Sequence, residues 1–167
     1  MMRSAHALSL LALSITVACT VLPSTATPSG SPEDKQNARD ALQRFFDLLN
    51  EEQYSEAVLL YGGSYDSMRD HNPSLPPTDL AALMRNACQI NGAMCLRPRS
   101  ITPAQADSSA EFLFQVEFQN KDGSLFIRGP CCGASPPDQP PQSVFSYSVI
   151  RGPQGQFAVT DMPPYVP

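Results

Sequence analysis

Glu111-Phe112-Leu113-Phe114-Gln115-Val116-Glu117-Phe118 places Phe112, Phe114, Val116 and Phe118 at every second position, with Glu111, Leu113, Gln115 and Glu117 between them. A period of two is that of a strand with one face in a core and the other in water, so this stretch predicts a half-buried strand. Downstream, Asp122-Gly123 is a turn signal leading into a short run, Leu125-Phe126-Ile127. Val144 to Ile150 predicts a further strand with Phe145, Tyr147 and Val149 on one face. Gly152-Pro153-Gln154-Gly155 then turns the chain into a last strand, Phe157 to Met162. Residues 95–101 form one more candidate strand, interrupted by Pro98.

Upstream of the strands the period changes to that of helices. Ser31-Pro32-Glu33-Asp34 combines a capping Ser, a Pro at the first helical position and acids in the first turn. Ala38, Ala41, Leu42, Phe45, Leu48 and Leu49 follow at helical spacing. A second helix is expected at about 54–61, stopped by Gly62-Gly63. A third is expected from a Thr78 cap through Leu80, Leu83, Met84, Ala87 and Ile90 to Asn91-Gly92. Helices first and an antiparallel meander after them predict an α+β fold in which helices cover one face of a sheet.

The N-terminus carries Arg3 and an apolar run from Ala7 to Ala18 of about 12 residues, short of the roughly 20 that span a bilayer. A charged start, a short apolar stretch and small residues before a cut point make residues 1–18 a secretory signal. Thr16-Val17-Ala18-Cys19 resembles the lipobox of bacterial lipoproteins, with Thr16 where Leu, Val or Ile is more usual. That resemblance implies a lipid-modified Cys19 as the mature N-terminus and a cell-envelope location, extracytoplasmic and anchored to a membrane; the alternative is an ordinary signal cut elsewhere, for instance after Ala18 or Ala26. Residues 19–31, rich in Ser, Thr, Pro and Gly, then read as a flexible tether, and 32–167 as a single domain. Removing Arg3 leaves 10 of the 11 Lys/Arg against 16 Asp/Glu, a net charge near −6. An acidic chain without a basic cluster lacks the footprint of a nucleic-acid binder.

The paired Phe45-Phe46 of the first helix, the Tyr54-Ser55-Glu56-Ala57 start of the second and the meander resemble the NTF2-like, or cystatin-like, α+β cone fold, over roughly residues 33–162. In such a cone Phe45, Tyr54, Phe114, Phe145 and Tyr147 either line a ligand pocket or simply form the core. The family includes enzymes that place an Asp base and an oxyanion donor in the cone. Were the chain an isomerase, hydrolase or dehydratase of this kind, Asp161 with Tyr147 would be the pair to use, but the two do not map onto a family motif. The plainer reading is a surface Asp and a partly buried core Tyr, and no catalytic dyad is expected.

The mature cysteines other than Cys19 are Cys88, Cys95, Cys131 and Cys132. An even count in an exported domain predicts disulfides, with three possible connectivities. Adjacent cysteines rarely bridge, so the expected pairs link Cys88/Cys95 to Cys131/Cys132. The competing use, a four-thiolate zinc site, lacks the usual two-residue ligand spacing. His71 is the one mature histidine and sits at an expected helix end in a polar loop, Asp70-His71-Asn72-Pro73. Neither a nucleophile elbow nor a multi-histidine metal centre is written in the chain, and no cofactor is implied. Met162 to Pro167 is expected to pack over the sheet end, or else to serve a partner as a polyproline ligand. The functions left are a non-catalytic binding or accessory domain for an envelope protein or small apolar ligand, an NTF2-like enzyme, or a structural envelope-assembly module.

Overall fold

The computed structural model describes residues 30–104 and 110–166; the expected signal segment, Cys19 and most of the expected tether lie outside them. Helix α1 spans Pro32–Asn50 and opens with a reciprocal cap. The Asp34 N–H donates to Ser31 Oγ at 3.0 Å, and the Ser31 N–H donates to Asp34 Oδ2 at 3.3 Å. The helix ends without a glycine. Glu52 takes the left-handed conformation at φ 60°, while the Glu52 and Gln53 N–H groups donate to the Leu49 and Leu48 carbonyls. Ala38, Leu42, Phe45, Phe46, Leu48 and Leu49 are all buried on its inner face.

Helix α2 (Tyr54–Ala57) continues into a 3-10 turn at Val58–Leu60, α3 covers Asp66–His71 and α4 covers Leu80–Gln89. Of helix α3 only its end at His71 is among the sequence expectations. The cap of α4 is Asp79 rather than Thr78, with its carboxylate accepting from the Ala82 N–H at 3.0 Å. Four strands follow: β1 (Arg97–Pro103), β2 (Glu111–Gln119), β3 (Val144–Arg151) and β4 (Phe157–Val159), joined as an antiparallel sheet in chain order. Pro98 is tolerated because β1 is an edge strand, and the register slips between Pro98 and Ser100. Leu125-Phe126-Ile127 does not form a strand; one bridge, Gln119 to Leu125, and a bond from the Phe126 N–H to the Phe118 carbonyl hold it to the sheet.

The fold is therefore α+β, as expected. Phe114 lies opposite Tyr147 and Val116 opposite Phe145, and α1 covers this face. The Phe46 ring sits edge-on to both Phe118 and Tyr147, each at 4.9 Å between centroids. Full burial of a ring of that size stabilises by about 1.5–3 kcal/mol, and edge-on pairs add about 0.5–1.5 kcal/mol. The opposite sheet face mixes polar side chains with Leu113, Val144 and Ile150, and its polar groups cross-link the strands: Ser100 Oγ donates to Glu117 at 2.9 Å, and Ser148 Oγ to Glu111 at 2.6 Å. Among the described residues no helix is long and apolar enough to cross a membrane.

The cysteines correct an expectation. Cys88 bonds to Cys95, with Cα atoms 5.5 Å apart, so neither reaches the Cys131/Cys132 segment. The chain doubles back after α4 through Gly92, at φ 84°, which brings the two thiols of one segment together. The pairing also removes two of the four thiolates that a zinc site would need.

Candidate functional site

The C-terminal residues 160–166 cross the end of the fold as a strap. The Thr160 N–H donates to the Ser148 carbonyl at 3.0 Å, the Met94 N–H to the Pro164 carbonyl at 2.8 Å, and the Val166 N–H to the Gly92 carbonyl at 2.9 Å. Two glycines admit its backbone: a Cβ on Gly63 would strike the Thr160 carbonyl, and one on Gly92 the Val166 carbonyl. Pro163 and Pro164 are buried. The tail thus packs across the end of the sheet, the first of its two expected roles.

Facing the strap is α3, fixed to the end of α4 by three asparagines. Buried Asn72 donates from Nδ2 to the Met68 carbonyl at 2.7 Å and to Asn91 Oδ1 at 2.9 Å, and its own Oδ1 accepts from Asn86 Nδ2 at 2.8 Å. A buried amide with its hydrogen-bonding capacity nearly used up is a specific fastener.

Between strap and α3 lies a cleft of about 390 Å³. Its floor is apolar, with Met68, Ala87, Ala93, Met162 and Pro163. Its polar rim carries Tyr61, His71, Asn91 and Asp161. His71 Nδ1–H donates to the Ser67 carbonyl at 2.7 Å, which in the neutral ring leaves Nε2 as an acceptor. Asp161 Oδ2 accepts from the Ser148 N–H at 2.8 Å and from Thr160 Oγ1 at 3.1 Å; among the described residues no bond falls on Oδ1. The Tyr61 hydroxyl donates to the Ser64 carbonyl at 3.1 Å. Burial, and then the negative charge of Asp161, push the Tyr61 phenol above its ordinary value, so it stays a neutral donor. The rim thus offers a carboxylate oxygen and an imidazole nitrogen above an apolar floor.

Two sequence candidates meet here, Asp161 and His71, and His71 is the last residue of α3, at the helix end expected for it. Phe45, Tyr54, Phe114, Phe145 and Tyr147 do not line this cleft; all five are buried in the core cluster beneath α1. Burial, then the charge of Asp161, raises the Tyr147 phenol strongly, yet among the described residues no hydrogen bond joins the two, so they do not form a dyad. Tyr61, Asn91 and the Asn72 fastener were not singled out in the sequence. Their one written signal is the spacing of Asn72, Asn86 and Asn91 around the ends of two helices.

The chain matches no family model, no curated protein and no solved structure.

Proposed function

We propose that this is a non-catalytic binding domain of the cell envelope, lipid-anchored through Cys19 on the extracytoplasmic side, that holds a small, largely apolar ligand in the cleft beneath the C-terminal strap. The observation that carries the reading is the composition of the cleft: an apolar floor with a few convergent polar atoms on its rim, the usual make-up of a small-molecule site. Asp161 Oδ1 is an acceptor, and so is His71 Nε2 in the neutral ring. The matching ligand is therefore an apolar body carrying a hydroxyl or amine donor.

The finer fold reading that accompanies the proposal is the NTF2-like cone. In support, α1 lies across one face of the meander, and the slip in β1 is a bulge of the kind that bends sheets. In this cone the aromatic interior is filled, and binding moves to the open end.

The enzyme alternative draws support from His71 and Asp161 sharing one cleft. It differs in requiring a covalent change in the ligand.

The test is a titration of the protein with small cyclic alcohols and amines, followed by calorimetry and by mass analysis of the recovered ligand. Ser67→Trp, on the exposed side of α3, fills the cleft and should abolish binding without lowering Tm. Asp161→Asn should weaken donors by about ten-fold or more, since a hydrogen bond to a charged group contributes about 1.5–3 kcal/mol. Equal binding by Ser67→Trp would refute the site, and a chemically altered ligand would favour the enzyme.

A further inference from the structure

A second cavity, of about 540 Å³, lies on the far side of Tyr165 and Val166 and is walled by the loop that carries Cys131 and Cys132. The loop is clamped at its base, where Arg128 and Gln142 exchange backbone bonds of 2.8 and 2.9 Å. At its tip the Cys131 N–H donates to Gln139 Oε1 at 2.9 Å, and the Ala134 N–H closes a turn on the Cys131 carbonyl at 3.0 Å. Cys132 takes φ 61°, a left-handed conformation that is uncommon outside glycine, and Gly133 follows at φ 83°. This backbone brings the two sulfurs to 2.6 Å from each other.

That separation discriminates between the possible uses of the pair. Two thiolates on one zinc ion, each about 2.3 Å from it in a tetrahedron, would stand roughly 3.8 Å apart. The sulfurs here are closer than any shared metal allows, and approach the roughly 2.05 Å of a covalent bond. Contact with the Cys132 thiol, foremost, pushes the Cys131 thiol above its ordinary value, so the exposed Cys132 is the one placed to attack first.

We propose that Cys131 and Cys132 close a reversible vicinal disulfide, a redox modification site in the wall of the second cavity. The oxidant is a low-molecular-weight or protein disulfide. One cysteine thiolate attacks a sulfur of that disulfide and expels its first thiol. The neighbouring thiolate then attacks the mixed disulfide, forms the Cys131–Cys132 bond and expels the second thiol. Two hydrogens leave the protein and two reach the oxidant. Cys132 is exposed, whereas Cys88 and Cys95 pack against the core, so the vicinal bond is the first to be reduced.

Trypsin separates the two pairs, since residues 86–99 carry Cys88 and Cys95 (the Arg97-Pro98 bond resists cleavage) and residues 129–151 carry Cys131 and Cys132. The full chain is treated with oxidised glutathione, alkylated with iodoacetamide and digested. Peptide 129–151 should be two hydrogens lighter than its reduced form and carry no alkyl group. Brief exposure to dilute dithiothreitol before alkylation should add two alkyl groups to it while 86–99 stays bridged. In Cys132→Ser, Cys131 should instead hold one glutathione. Two alkyl groups on 129–151 after the oxidant, a lasting glutathione adduct on the unaltered chain, or a link from 129–151 to 86–99 would each overturn the proposal.

Discussion

The seam between α1 and the sheet and the seam between α3 and the C-terminal strap are held by opposite means. The first is filled: Phe45, Phe46, Phe114 and Phe118 are buried, with rings meeting edge-on or tilted. The second is hollow, and its walls are fastened by the asparagine network and by backbone bonds from the strap to residues near α4. Apolar packing stabilises by excluding water, so a wall held that way closes on its partner. Directional bonds hold two walls at a distance, and a cavity between them survives.

The comparison breaks most visibly in the filled seam. Phe46→Ala should cost about 3–5 kcal/mol in urea unfolding, because α1 and the sheet cannot both collapse into the void. A loss below about 1 kcal/mol would mean that the seam is loosely packed. In the fastened seam, Asn72→Ala leaves the Asn86 and Asn91 amides short of partners and should cost about 1–3 kcal/mol. It should also speed hydrogen exchange selectively in α3 and the segment around Asn91, while exchange in α1 stays unchanged; a uniform increase would place Asn72 in the common core.

Tyr65, at the start of α3, gives the smallest effect. Among the described residues its buried hydroxyl has no hydrogen-bond partner, and its ionisation is pushed up to about 12, by burial first and then by neighbouring Tyr61. The fold favours the neutral phenol. Between pH 10 and 12 the unfolded chain ionises while the folded one does not, and stability falls as pH rises. Tyr65→Phe should be neutral or stabilising by up to about 1 kcal/mol, with part of this alkaline loss removed. A clear destabilisation would reveal a partner for the hydroxyl.

The filled seam was largely legible in the sequence. Ser31-Pro32 and the helical spacing located α1, and the alternation in 111–118 and 144–150 located β2 and β3, because regular elements with one buried face leave a period. Helix α3 left none, since it has six residues and one buried side chain, Met68. Leu125 to Ile127 carried the apolar content of a strand, but Ile127 is exposed and Arg128 pairs instead with Gln142. The cysteine pairing turned on the left-handed Gly92, a conformation that spacing does not report. The cleft was illegible for a different reason: residues 61–71, 87–93 and 160–165 are far apart in sequence and are brought together by the asparagine network and the strap. Asp161 and His71 were recognisable as chemistry, but their shared location was not.

The most direct measurement is a methyl spectrum of the protein during titration with a small cyclic alcohol. A ligand beneath the strap should shift the methyl signals of Met68, Ala87, Ala93 and Met162, and leave those of Leu42, Val116 and Val149 in place. Shifts centred on Leu42, Val116 and Val149, or none at saturating alcohol, would contradict the account.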